Sequence, residues 1–253
     1  MRKTAIVTGA SAGIGRATAL LLAANEFDLI ITGRRKENLV SLEEEIREET
    51  GSDVLVLTFD IRNQEEVAEA CRGLEGKWKD VDLLVNNAGL AVGLNHIHEG
   101  VVDDWERMID TNIKGLLYIT RELTPGMVAR GSGHVINIGS IAGKEAYENG
   151  NVYNASKYAI DGLTQGMRID LAEHGIRVTA INPGAVDTEF SLVRFKGDQD
   201  RADSVYQGFE PLVANDIAEA ILFVVTRPPH VNIDDMQIMA TSQARTRKIV
   251  KKD

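Results

Sequence analysis

The chain has 253 residues, 43% hydrophobic and 26% charged, with a formal net charge of −10, a size and balance that suit one large α/β domain with a well-buried core. The negative charge argues against a nucleic-acid phosphate partner, and no apolar run approaches the ~20 residues of a membrane span. Cys71 is the only cysteine, which excludes an intrachain disulfide and fits a reducing, cytoplasmic setting.

MRKTAIVTGA places basic residues before an apolar stretch, but no small-residue cleavage signal follows, so it reads as a first strand. That strand, Thr4 to Thr8, runs into Gly9-Ala10-Ser11-Ala12-Gly13-Ile14-Gly15, and Ala17, Leu20, Leu21 and Ala24 then mark a helix. Strand, glycine turn and helix aim backbone N–H groups at a phosphate. The spacing is G-x-x-x-G-x-G instead of G-x-G-x-x-G. Glycine turns also serve as plain connectors, so the position at the first strand–helix junction strengthens the reading.

A second strand, Asp28 to Thr32, ends in Gly33-Arg34-Arg35. The residue about 20 positions past the glycine loop selects the dinucleotide: an acid bonds the ribose 2′-hydroxyl of NAD, whereas arginine accommodates the 2′-phosphate of NADP. Arg34 and Arg35, with no acid beside them, favour NADP over the blander reading that they cap the sheet in solvent. A charged helix is expected from Lys36 to Thr50, stopped by Gly51. The third strand, residues 54 to 59, ends at Asp60-Ile61, where a side chain can meet an adenine. A helix follows from Gln64 to Leu74, and the fourth strand, DLLVNN, ends in Asn86-Asn87-Ala88-Gly89. Small residues there let a flat ring lie against the backbone.

Residues 90 to 100 read as a loop. His96, His98 and Glu99 lack a third well-spaced metal ligand and are taken as solvated or capping, with no metal expected. A helix from about Asp103 to Leu123 carries Asn112, an indifferent helix former whose amide can bend the helix or hold water. Pro125-Gly126 is expected to end it. HVINIG is the fifth strand and leads to Ser140. Residues 151 to 175 form a long amphipathic helix with Ile160, Leu163, Met167 and Leu171 on one stripe. At its head Tyr153 and Lys157 lie one turn apart on one face.

A free phenol has a pKa of about 10, and bringing it to about 7 needs roughly 4 kcal/mol. One ammonium about 4 Å away at an effective dielectric near 20 supplies that much. On this arithmetic Lys157 alone prepares Tyr153 for proton exchange, while Ser140 holds a substrate oxygen. RVTAIN, the sixth strand, ends at Pro183-Gly184-Ala185-Val186-Asp187-Thr188, at the carboxyl edge where open α/β sheets bind ligands. A polar stretch with scattered aromatics suits a substrate lid near 188–212. A last helix from Asp216 to Thr226, a break at Pro228-Pro229 and a final strand, MQIMA, complete the chain. The basic tail ARTRKIVKKD is expected to be solvated or packed on a neighbouring subunit. With no repeats and no linker, residues 1–253 read as a single domain. Strand and helix alternate throughout, which predicts an α/β, Rossmann-like, doubly wound parallel sheet of about seven strands with helices on both faces.

TGASAGIG (8–15), NNAG (86–89), Asn112, Ser140, Tyr153-x-x-x-Lys157 and Pro183-Gly184 occur in one order across most of the chain. Together they resemble the short-chain dehydrogenase/reductase superfamily. The resemblance implies hydride transfer between nicotinamide and a carbonyl or alcohol, with Asn112, Ser140, Tyr153 and Lys157 as the catalytic set. It makes Tyr153 the acid/base, has Lys157 grip the nicotinamide ribose and gives Asn112 a relaying water. Asn87 lines the cofactor, and Val186 and Thr188 sit on the carboxamide side. TGRR, INIGSIAG, NGNVYNASK, TEFSLVRFKGD and HVNIDDMQIMATSQA are more narrowly similar to NADP-dependent 3-hydroxy acid dehydrogenases, including those acting on serine and L-allo-threonine, commonly homotetramers. A carboxylate substrate needs a matching charge, and Arg194, in the expected lid, is the candidate; a surface ion pair is its bland alternative. A broad carbonyl or diketone reductase and a non-catalytic NADP sensor are the competing functions.

Overall fold

The structure, a computed structural model, describes residues 2–251; Met1, Lys252 and Asp253, at the ends of the expected single domain, lie outside the described residues. In chain order the elements are β1 (Lys3–Thr8), α1 (Gly13–Ala23), β2 (Phe27–Gly33), α2 (Lys36–Thr50), β3 (Val54–Thr58), α3 (Gln64–Arg72), β4 (Val81–Asn86), α4 (Val102–Ile109), α5 (Leu116–Arg130), β5 (Gly133–Ile138) and α6 (Asn151–Leu171). β6 (Ile176–Pro183), β7 (Val186–Asp187), α7 (Phe190–Arg194), α8 (Gln199–Ser204), β8 (Leu212–Val213), α9 (Ala214–Val225) and β9 (Asp235–Ile238) follow.

Seven of the strands form one sheet in the order β3-β2-β1-β4-β5-β6-β9, and every pairing in it is parallel. Parallel strands need crossovers that cover both faces, so they read as continuous apolar runs. AIV in β1 and LII in β2 are fully buried. Leu22, Leu39, Leu42 and Ile221 pack on one face, and Ile119, Leu123 and Met127 on the other. The chain reverses its direction of travel across the sheet between β1 and β4, and that switch point opens the crevice where such sheets take ligands.

One expectation fails here. Pro125 does not end its helix; α5 runs on to Arg130 with Pro125 inside it. An internal proline forfeits a backbone bond and costs about 3 kcal/mol. The extension carries Met127, fully buried against the sheet, and burying such a side chain offsets most of that cost. The helix expected from about Asp103 to Leu123 is present and is distorted around Asn112 by a π turn at Asp110–Gly115. The tail through Val250 is largely exposed and is tied to its own chain where the Thr246 N–H donates to Glu145 and Arg247 donates to the Glu148 carbonyl.

His134 of β5 is buried, with Nε2 2.9 Å from Thr179 Oγ1, and burial pushes its pKa down to about 3. An unfolded histidine titrates near pH 6.5. As pH falls below that value the unfolded chain takes up a proton that the folded chain refuses. Stability is therefore full above about 6.5 and is lost toward 3, by about 2 kcal/mol at pH 5. His134→Gln is expected to flatten the fall in urea-unfolding stability between pH 7 and pH 5 by about one proton's worth. An unchanged slope contradicts the assignment.

Candidate active site

The glycine loop is shaped by contacts at its back. Asn87 Nδ2 donates to the carbonyls of Thr8 (2.8 Å) and Gly9 (3.3 Å). Thr8 Oγ1 accepts the N–H groups of Asn87 and Ala88 at 3.0 and 2.9 Å. Gly9 has a φ of +66°, a left-handed conformation suited to glycine. A Cβ on Gly15 would stand 2.4 Å from Asn87 Nδ2 and 2.5 Å from the Gly9 carbonyl oxygen. Gly15 thus lets the loop close on β4 and does not itself line the crevice, whereas Gly9, Ser11, Ala12, Gly13 and Ile14 do.

The crevice has a volume of about 490 Å³ and runs from Arg34, Arg35, Asp60 and Ile61 at one end to Ser140, Tyr153 and Lys157 at the other. Asn87, Pro183, Gly184, Val186 and Thr188 line it as well. Its middle faces the start of α1, where Ala12 offers no side-chain cap and the first turn holds no acid. Those uncapped N–H groups and the helix dipole fit a pyrophosphate. Arg35 donates to Ser11 Oγ at 3.2–3.3 Å and to Glu189 at 2.8 Å. Arg34 lies 3.9 Å from Asp60, whose main tie is to Arg62 at 2.6 Å. Both arginines are more than two-fifths exposed, so each can turn to a phosphate. The donors present fit a dinucleotide carrying an extra phosphate on its ribose.

At the other end, α6 presents Tyr153 and Lys157, both buried. Asn112 holds the register of this region: its Oδ1 accepts the Leu90 N–H at 2.8 Å, and Nδ2 donates to the Leu90 carbonyl and to Ser156 Oγ. Ser156 Oγ in turn donates to the Tyr153 carbonyl at 2.8 Å. Asn112 thus ties the strand-end loop to α6 from a π turn, a distortion common at functional sites, and stands behind the crevice wall. One Oδ1 lone pair remains for a water. Ser140 Oγ caps a short turn by accepting the Ala142 N–H at 3.1 Å, and its own N–H is anchored to Asn182.

The expected electrostatics are corrected. Lys157 Nζ donates to the Ile138 carbonyl at 2.9 Å and lies 5.8 Å from the centre of the Tyr153 ring. Burial lowers Lys157 itself to about 8. Burial also raises the Tyr153 phenol above its ordinary value, with the nearby Tyr147 adding to the rise; Arg194 and the Ser140 hydroxyl pull the other way. Lys157 alone does not prepare the phenol, because desolvation of a phenolate outweighs a cation that is turned to a carbonyl.

Arg194 lies on α7 outside the crevice lining, with its guanidinium 5.1 Å over the Tyr153 ring, 5.4 Å from Tyr147 and 5.8 Å from Phe190. It donates to the Tyr147 hydroxyl, while its Nε is buried without a partner. Tyr147, Phe190 and Arg107, which faces the crevice, were not singled out by sequence; Tyr147 and Arg107 sit in no motif, Phe190 appears only within the stretch TEFSLVRFKGD, and the fold brings them in. His96 and His98 stack 5.7 Å apart on the surface, and among the described residues no three His, Cys, Asp or Glu side chains gather as metal ligands.

Comparison with known proteins follows the same outline. The short chain dehydrogenase family model matches residues 3–198. An NADP-dependent 3-hydroxy acid dehydrogenase, YdfG, of Salmonella typhi is 47% identical over 94% of this chain and 95% of its own. A serine 3-dehydrogenase of Rhizobium radiobacter is 41% identical over 96% of each. The closed form of a serine dehydrogenase complexed with NADP+ superposes with a TM-score of 0.92 at 43% identity, covering 99% of this chain and 100% of that one.

Proposed function

The chain belongs to the short-chain dehydrogenase family, and we propose that it is an NADP-dependent oxidoreductase interconverting short 3-hydroxy acids and 3-oxo acids. The observation that carries the substrate class is Arg194: a guanidinium beside Tyr153, bonded to a neutral phenol and holding a buried, unpartnered Nε. A substrate carboxylate takes the place of the Tyr147 hydroxyl and makes charge-assisted, bidentate bonds that a phenol cannot. When bound, NADP+ supplies the hydride acceptor and a positively charged ring. Ser140 Oγ holds the substrate oxygen, and Tyr153 Oη takes the hydroxyl proton as the hydride leaves the same carbon. In the reverse direction Tyr153 returns that proton. Lys157 holds the ribose and adds positive charge as its ammonium leaves the Ile138 carbonyl. We include a homotetramer in the proposal, since Leu117, Tyr158 and Ile169 leave apolar surface exposed on α5 and α6, faces a second copy can cover.

The test is steady-state oxidation with NADP+ of L-serine, L-allo-threonine and 3-hydroxyisobutyrate beside 3-hydroxyisobutyrate methyl ester, and reduction of neutral diketones with NADPH. The acids are expected to lead in kcat/KM by tenfold or more. Equal rates favour a broad carbonyl reductase, and NADPH binding without any turnover favours a sensor. Arg194→Leu is expected to raise KM for the acids by roughly 10- to 100-fold, the worth of a charged hydrogen-bond pair. It should largely spare the ester. It should also move the alkaline rise of the oxidation rate to higher pH, because the guanidinium lowers Tyr153. Equal losses on acid and ester remove Arg194 from carboxylate recognition.

A further inference from the structure

Lys196 lies two residues beyond Arg194, in the turn that ends α7, with a φ of +56°. This is a left-handed conformation that a lysine holds only when its surroundings impose it. Its ammonium reaches Asp104 Oδ2 on α4 at 2.7 Å. The Asp104 side chain is 5% exposed and that of Lys196 52%, so the pair has one buried anchor and one wet arm. No aligned hydrogen bond reaches that Asp104 oxygen, so charge attraction is what offsets its burial. A second tie runs alongside: the Gly93 N–H donates to the Arg194 carbonyl at 3.0 Å. Gly93 has a φ of +74°, and a Cβ there would stand 2.9 Å from Asp104 Oδ2. One ionic and one backbone tie therefore fasten the segment around Arg194 to α4 and to the loop after β4.

We propose that the Asp104–Lys196 pair is the positioning device that holds Arg194 over Tyr153 and so sets affinity for the substrate carboxylate. Neither residue lines the crevice; both act through Arg194. The inference rests on the reading of Arg194 given above. A plainer role for Asp104 exists, since an acid in the first turn of α4 favours the helix dipole. Replacing Lys196 separates the two, because it leaves that acid in place.

The experiment compares full-length wild type, Lys196→Gln, Lys196→Arg, Asp104→Asn and Arg194→Leu. Hydrogen exchange is followed by mass spectrometry in peptides covering Gly93 and residues 190–197. KM and kcat are measured for 3-hydroxyisobutyrate and its methyl ester. Lys196→Gln and Asp104→Asn are expected to speed exchange in both peptides tenfold or more. They should raise KM for the acid about tenfold, with a smaller change for the ester and kcat within about twofold. Lys196→Arg should restore wild-type values. Unchanged exchange in Lys196→Gln, or faster exchange with an unchanged acid KM, overturns the proposal. If wild type and Arg194→Leu behave as expected while Lys196→Gln matches wild type, this inference alone fails. A wild type indifferent to the carboxylate overturns the substrate reading and this inference with it.

Discussion

Tyr153→Phe is expected to lower kcat for oxidation and reduction by about 10²- to 10⁴-fold, the range that general acid–base groups supply, while NADPH affinity stays within about threefold. The phenyl ring keeps the packing against Phe190 and under Arg194, so the fold should lose little; the exchange removes only a hydroxyl from a residue that is already buried. The size of the effect follows from the chemistry. The substrate hydroxyl proton needs an acceptor at the moment the hydride leaves, and the cations beside Tyr153 are donors already engaged, Lys157 with the Ile138 carbonyl and Arg194 with the Tyr147 hydroxyl. In wild type the oxidation rate should rise with pH as the phenol ionises, and that limb should vanish in the variant. Single-turnover rates beside fluorescence titration of NADPH separate chemistry from binding. Near-normal turnover by Tyr153→Phe would remove the residue from proton transfer.

The second large effect concerns the cofactor. Arg34→Ala/Arg35→Ala is expected to weaken NADP by about 3 kcal/mol, roughly a hundredfold, and to leave NAD nearly unchanged. Charge-assisted bonds to a phosphate contribute about 1.5–3 kcal/mol each, and the exposure of both guanidinium groups places the pair at the lower end. Arg35 also bonds Glu189 across the crevice, so part of its binding strength is exchanged between a carboxylate and a phosphate. The Michaelis constants for NADP and NAD, measured with one hydroxy acid, report the ratio directly. An equal loss for both nucleotides would mean that the arginines hold the loop and do not read the 2′-phosphate.

Much of this architecture was legible because its signals are local. The alternation of buried strand and amphipathic helix gave the parallel sheet, and α2 begins and ends at Lys36 and Thr50 as its charged pattern and Gly51 suggest. Gly9, Gly13, Arg34, Arg35, Tyr153 and Lys157 come to one crevice because strand ends of a parallel sheet share an edge. What escaped the sequence depends on distant partners. The helix continues past Pro125 because Met127 finds the core, and the π turn at Asn112 exists because Leu90 and Ser156 satisfy its amide. Four-residue spacing placed Lys157 near Tyr153 but could not show that the Ile138 carbonyl takes its proton donor. Likewise Arg194 was visible as a cation in a polar stretch, whereas its seat between Tyr147 and Tyr153 is set by contacts from α4 and the loop at 93.

The most direct test follows one atom. A 3-hydroxy acid carrying deuterium at carbon 3 is incubated with the protein and NADP+, and the NADPH formed is examined by mass spectrometry. The account predicts NADPH bearing one deuterium, formed more slowly than from unlabelled substrate, and almost none with Tyr153→Phe. NADPH free of deuterium, or a reduced cofactor formed equally well by Tyr153→Phe, would contradict it.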